Sequence, residues 1–338
     1  MIRVITTIDA HVGGQPLRLV VDGVPRPHGK TSAQQREWCL KHADAYRRAL
    51  VHPPRGHADI TAALITDPST LQANAGLVFM DAGGYPSMSG HAVIAITTIA
   101  FERRLALAHP PGSGEDRLVF DTPAGSVHAR ARLEQHGDAR SVDSVAVTNV
   151  PAFVHAPAVP VLVGRRDLRV DIAFGGAFYA IVDSEATGVP LDAVHVPDLR
   201  RLGAEISASV NASHRPVHPA DSALSGVAGV IFTGPALDPE AHLRNVMVRA
   251  SGSVDRSPGG TGTSAVMAVL DAMGLLPDDQ AFVHESLSGA LFRGRPLHRT
   301  IVADFPALVT EIEGSAWITG EHTFFLDDDD PFRDGGSF

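Results

Sequence analysis

Cysteine is almost absent: Cys39 is the only one in 338 residues, so no disulfide can form within the chain. Basic residues are outnumbered, 28 Lys and Arg against 38 Asp and Glu, for a formal net charge of −10. That balance gives no extended basic footprint and argues against nucleic acid or an anionic membrane as the main partner, leaving small molecules. No stretch approaches the roughly 20 uninterrupted apolar residues of a membrane-spanning helix. The opening Met1-Ile-Arg-Val-Ile-Thr-Thr-Ile-Asp-Ala10 also lacks the basic region and long apolar run of a secretory signal, so the expected location is the cytoplasm. Neither a GxxxxGK[ST] phosphate loop nor a GxSxG nucleophile elbow occurs, which removes the basis for ATP hydrolysis and α/β-hydrolase chemistry. His57 and Asp59 are metal-ligand types, but no third ligand follows at metal-site spacing. No metal is expected, and a hydrogen-bonded network at a strand end is the simpler role for the pair.

What is present is an ordinary apolar fraction of 44% in a chain longer than one core usually serves. Two domains of roughly 150 residues are the expectation from length. Segments rich in β-branched and aromatic residues read as strands at 2–7, 17–21, 60–65, 77–80, 145–150, 172–182, 227–232 and 246–249. Recurring apolar positions predict helices over 91–101, 197–211 and 264–273. The fold class is therefore mixed α and β. Pro-rich 150–160, where proline discourages regular pairing, reads as the junction. The acidic run at 327–330 reads as solvated surface, and Cys39, between Trp38 and Leu40, as a residue packed in a helix.

Each half delivers a glycine-containing turn onto a helix, Met88-Ser89-Gly90-His91 in the first and Pro258-Gly259-Gly260-Thr261-Gly262-Thr263 in the second. The matching placement suggests an internal duplication. A helix start carries unpaired N–H groups and a partial positive charge, so each turn is a candidate carboxylate site. The plainer reading is that such turns merely cap helices; finding both in corresponding places weighs against it.

Taken together, Asp9-Ala-His-Val-Gly-Gly-Gln-Pro16, Pro54-Arg-Gly-His-Ala-Asp59, Gly84-Tyr-Pro-Ser-Met-Ser-Gly-His91, Asp171-Ile-Ala-Phe-Gly-Gly176 and Asp255-Arg-Ser-Pro-Gly-Gly-Thr-Gly262 resemble the proline racemase family. That family includes proline racemase, 4-hydroxyproline epimerase and trans-3-hydroxy-L-proline dehydratase. The resemblance implies two similar domains of the diaminopimelate epimerase-like fold, with substrate enclosed between them and no cofactor. It places one half over 1–155 and the other over 156–311, with 312–338 returning to the first. A homodimer is compatible with it. It further implies that the substrate carboxylate is held by backbone amides at Gly90 and His91 and at Gly260 and Thr261, and that the ring nitrogen is met by Asp255.

In the family's racemases and epimerases two thiols on opposite ring faces move the Cα proton. Here the first position is Ser89 and the second is Gly259, which has no side chain. Inversion needs an acid on the face opposite the base, because returning the proton to its original face restores the starting configuration. Dehydration of trans-3-hydroxy-L-proline needs only one active face, since its hydroxyl and Cα hydrogen lie on the same side of the ring. The family's dehydratases similarly lose the second thiol, and Gly-His-Ala-Val-Ile-Ala95 and Arg244-Asn-Val-Met-Val-Arg-Ala250 also look dehydratase-like. The expected function is that dehydratase, with Ser89 as the catalytic residue. Two alternatives stay open: a 4-hydroxyproline 2-epimerase that uses a water near Gly259, and a catalytically silent protein that binds proline derivatives. A serine hydroxyl is a weaker acid than a thiol and needs activation, for which the helix start and His91 are the available groups, although a histidine in the first helical turn equally reads as a packing or hydrogen-bonding residue.

Overall fold

The computed structural model describes residues 2–107, 115–136, 139–276 and 280–336. The chain divides into two compact units, one of Met1–Val147 with Ser315–Phe338 and the other of Thr148–Gly314. In chain order the first carries β1 (Ile2–Val12), β2 (Gln15–Asp22), α1 (Ser32–His42), α2 (Asp44–Val51), β3 (Thr61–Thr66), β4 (Ala75–Met80), α3 (Gly90–Glu102), β5 (Arg117–Thr122), β6 (Gly125–His136) and β7 (Ala139–Thr148). The second opens with β8 (Ala152–Val163), β9 (Arg166–Phe174), β10 (Phe178–Asp183), α4 (Ser184–Thr187), α5 (Val196–Ser213), β11 (Val217–His218) and β12 (Asp221–Ser225). It continues with β13 (Val227–Gly234), β14 (Leu243–Arg249), β15 (Val254–Asp255), α6 (Gly260–Ala272), β16 (Phe282–Ser286), β17 (Leu291–Val302) and β18 (Phe305–Gly314), after which β19 (Ala316–Asp327) returns to the first unit.

The two units repeat one pairing pattern. In the first, the order β19-β1-β2-β3-β4-β5-β6 runs antiparallel, antiparallel, parallel, antiparallel, parallel, antiparallel. In the second, β8-β9-β10-β13-β14-β16-β17 runs through the same six relations. There β17 then pairs with β18 and β18 with β8, which closes a ring of eight strands. A parallel pair cannot be joined by a tight hairpin and needs a crossover, normally a helix. Each unit accordingly places helices in its two parallel connections: α1 and α2, then α3, in the first; α4 and α5, then α6, in the second. The two glycine turns thus occupy equivalent positions of a duplicated unit.

Two kinds of helix follow from two kinds of sequence. In α3 residues 90–100 are all buried, as are 260–269 of α6. Helices that are apolar on every side belong inside a core; α3 runs against β1, β2, β3, β6 and β19, and α6 against β8, β9, β10, β17 and β18. By contrast α5 buries one stripe, Leu199, Leu202, Gly203, Ile206 and Val210, against β13 and β14. The helix expected around Cys39 is α1, whose bounds the apolar pattern does not announce because two of the three residues it buries, Ser32 and Gln35, are polar. Gln35 is held there by Thr66, which donates to it at 2.7 Å, and by the carbonyl of Asp67. The third buried residue is Cys39, whose thiol is pushed up to about 12 by burial, in keeping with a packed rather than reactive side chain.

Three expectations are corrected. The Pro-rich stretch is no linker: it forms most of β8, and register shifts between Val154 and Ala156 and between Ala156 and Val159 absorb the residues that cannot join the ladder. The segment expected as one strand over 172–182 breaks into β9 and β10, because Gly176 takes φ 105°, a turn conformation open to glycine. The acidic run is not merely solvated. Asp330 accepts from the nearly buried Arg55 at 2.8 Å and Asp328 from Arg333 at 2.9 Å, which ties 327–333 to the loop before β3.

Gly175 is the tightest point near α6. A Cβ there would lie 2.3 Å from the backbone oxygen of Thr261 and 2.8 Å from the backbone nitrogen of Ala265, atoms that cannot swing aside. Gly175→Ala is therefore expected to destabilise the protein by about 1–3 kcal/mol, the usual range for overpacking; a denaturant midpoint equal to that of the unaltered protein would refute the close approach.

Candidate active site

In the first unit the connection from β4 to α3 is fixed from outside the sheet. Arg47 of α2 donates to the carbonyl of Asp81 at 2.7 Å, and Arg36 of α1 to the carbonyl of Tyr85 at 2.6 Å. Asp81 in turn accepts from the amides of Gly83 and Gly84, and the Tyr85 hydroxyl donates to the carbonyl of Cys39. These bonds bring the chain to Ser89, the N-cap of α3, with extended dihedrals of φ −148° and ψ 102°.

A serine at this position normally turns its hydroxyl onto the second or third amide of the helix. Ser89 does not; its Oγ lies 3.3 Å from Nδ1 of His91, and both residues are buried. The hydroxyl is thus left to an imidazole at a helix start, where a developing negative charge is stabilised by about 0.3–1 kcal/mol if exposed and up to ~2 kcal/mol if partly buried. Gly90 and His91 are the first two residues of α3, so their N–H groups are among those the helix leaves without an internal partner.

In the second unit β15 ends on Asp255, which is 2% exposed. Its Oδ1 accepts from the amide of Ser257 at 2.9 Å and from the Ser257 hydroxyl at 2.7 Å, while Arg249 faces Oδ2 at 3.4 Å. Ser257 Oγ also accepts from the amide of Gly259 at 3.2 Å. Gly259 is the N-cap of α6 with φ 79°, a region that L side chains rarely adopt, although a Cβ there would meet nothing closer than Met247 Cε at 3.8 Å. Gly260 and Thr261 open the helix, and the Thr261 hydroxyl is held 2.7 Å from that of Tyr179.

The structure therefore gathers Ser89, Gly90 and His91 at one helix start and Asp255, Gly260 and Thr261 at the other. His57 and Asp59 lie at the entry to β3, where His57 Nδ1 accepts from the amide of Asp59 and the Asp59 carbonyl from Gln15 at 2.6 Å. Further polar residues surround the second turn without a sequence signal of their own. Ser257 lies inside a quoted motif but reads as an ordinary turn serine. Tyr179 sits in an apolar strand, where an isolated polar side chain suggests only packing, and His284 in the short β16, where it precedes Glu285 and Ser286 with no motif spacing.

Comparison with known proteins places the chain. The proline racemase family model matches residues 7–337. The chain is 39% identical over 334 residues to a trans-3-hydroxy-L-proline dehydratase of Bacillus cereus, covering 98% of each. It is 37% identical to a proline racemase of Acetoanaerobium sticklandii, over 98% of this chain and 97% of that one. A crystal structure of a hydroxyproline epimerase from Agrobacterium vitis with bound trans-4-hydroxy-L-proline superposes with a TM-score of 0.90 at 30% identity, covering 99% of this chain and 95% of that one. With the same fold, and with a match that spans nearly the whole length, this chain is a member of the proline racemase family.

Proposed function

We propose that this enzyme dehydrates trans-3-hydroxy-L-proline to pyrroline-2-carboxylate without a cofactor, using Ser89 as the proton acceptor on a single ring face. The observation that carries this reading is Gly259: the position where inversion needs a second acid has no side chain, and its φ of 79° disfavours any. The same reading assigns substrate binding to Gly90 and His91 at the start of α3 and to Asp255, Gly260 and Thr261 at the start of α6.

The first step breaks the Cα–H bond, with the proton passing to Ser89 Oγ as the Ser89 hydroxyl proton passes to His91 Nδ1, 3.3 Å away. The electron pair forms the C2–C3 double bond while the C3–O bond breaks. The hydroxyl departs on the same face and leaves as water, carrying the proton that Ser89 and His91 had taken up. The products are water and an enamine, which tautomerises to the cyclic imine; atoms and charge balance with no further reactant.

A second reading is supported by the open space at Gly259, where an added Cβ would touch nothing within 3.8 Å. A water there as second proton carrier would give a 4-hydroxyproline 2-epimerase. The relatives include both a dehydratase and an epimerase, so the two readings are separated by products.

Incubation with trans-3-hydroxy-L-proline followed by borohydride reduction is expected to yield proline. No imine at saturating substrate, together with inversion and deuterium uptake at Cα of 4-hydroxyproline in deuterated water, would establish the epimerase instead. Ser89→Ala should lower turnover by about 10²–10⁴-fold, the range for a positioned proton-transfer group, and His91→Gln should lower kcat while leaving KM within a few-fold. Turnover by Ser89→Ala at the unaltered rate would remove Ser89 from the mechanism. Gly259→Ala should fit sterically but cost about 1–3 kcal/mol in backbone strain, read as a lower unfolding midpoint.

A further inference from the structure

We propose that Asn245, Thr263 and His284 are positioning residues that hold the Pro258–Gly259 peptide, and through it the first N–H groups of α6, in the orientation that receives a carboxylate. This rests on the reading of Gly260 and Thr261 as carboxylate-binding residues.

The peptide is pinned at both ends. Its carbonyl oxygen, on Pro258, accepts from Asn245 Nδ2 at 2.9 Å and more weakly from Thr263 Oγ1 at 3.4 Å. Its N–H, on Gly259, donates to Ser257 Oγ, which is itself bound to Asp255. The carbonyl of Pro258 lies outside the helix ladder, which begins with the amide of Thr263 donating to the carbonyl of Gly259. These contacts therefore add nothing to the helix hydrogen bonds; they fix the plane from which the chain turns, at φ 79°, into α6.

Behind the carbonyl stands His284, fully buried and with its pKa pushed down to about 3 by desolvation, hence neutral under ordinary conditions. One ring nitrogen of a neutral imidazole accepts and the other donates. Asn245 Nδ2 lies 2.7 Å from Nε2 and 2.9 Å from Nδ1, and Thr263 Oγ1 lies 2.9 Å from Nδ1. Thr263 thus stands between the ring and the carbonyl, its hydroxyl within reach of both Nδ1 and the Pro258 oxygen. The amide of Asn245 cannot be reversed, since that would set two oxygens 2.9 Å apart. Its Oδ1 is consequently buried with no hydrogen-bond partner among the described residues, a cost in stability that an apolar residue would not incur. Retaining asparagine there makes sense if the Pro258 carbonyl must be held. At the start of α3 the residue four past the cap is Val93, which has no hydroxyl, so the brace is a device of the second turn alone.

The test compares the intact protein with Asn245→Leu, Thr263→Val and Thr263→Ser, measuring the Kd for pyrrole-2-carboxylate by calorimetry, the thermal midpoint, and kcat and KM. Asn245→Leu and Thr263→Val are expected to weaken binding about tenfold, the scale of one lost hydrogen bond, and to raise KM more than they lower kcat. Thr263→Ser, which restores the hydroxyl, should bind within about twofold of the intact protein on the same scale. Lower midpoints with unchanged Kd in both near-isosteric variants would make the brace purely structural and overturn the proposal. If the intact protein does not bind pyrrole-2-carboxylate, the carboxylate reading of Gly260 and Thr261 falls and the brace falls with it, an outcome distinct from variants that bind normally.

Discussion

A helix that begins inside a ring of strands cannot leave its first turn to bulk water. Its leading N–H groups, and the carbonyls of the loop feeding it, must be met by protein or by a ligand, because an unmet polar group in a low-dielectric interior costs about 1–3 kcal/mol. The second unit meets one of these backbone groups, the Pro258 carbonyl, from a strand, and otherwise pairs the buried hydroxyls of the same turn. Tyr179 of β10 meets Thr261, Asn245 of β14 meets Pro258, His284 of β16 meets Thr263, and Thr310 of β18 meets Ser264. Four different strands each supply one polar side chain to one helix start. Asn149 adds a fifth contact, bridging Ser264 to the carbonyl of Gly175 at 2.9 and 2.8 Å. What these side chains leave over is the backbone N–H set itself, the part suited to an anion.

The duplication makes the differences between the units informative. Both units share the order of parallel and antiparallel pairs, and both send a buried apolar helix out of a glycine turn. They differ at the cap. In the first unit the cap carries a hydroxyl turned away from the helix amides towards an imidazole; in the second it carries nothing but a backbone in a glycine conformation. One start presents a hydroxyl beside an imidazole and the other only backbone.

The sequence disclosed this scheme unevenly. The α3 and α6 cores were legible because apolar residues recur through them, and α5 because its stripe repeats at helical spacing. The two turns stood out through glycine next to hydroxyl residues, and the long match to one family carried the fold. Less legible was whatever depends on a partner distant in the chain. The polar burial of α1 requires Thr66 and Asp67, and the pairing of β8 requires bulges that proline content alone would argue against. His284 illustrates the limit: in the sequence it is one histidine beside Glu285 and Ser286, and its contacts arise only from the meeting of β14, β16 and α6.

The return of β19 to the first unit bears on how the molecule is made. β1 is hydrogen-bonded along its length to β19, from Ile2 opposite Asp327 to Val12 opposite Ala316, so β1 lacks one of its two neighbours until residues 316–327 have been synthesised. The second unit is continuous in sequence and closes its ring from its own residues. The unit translated second has every strand of its ring within one continuous segment, while β1 in the unit bearing Ser89 keeps an open edge until β19 arrives, the state in which an unpaired strand is most exposed to wrong partners.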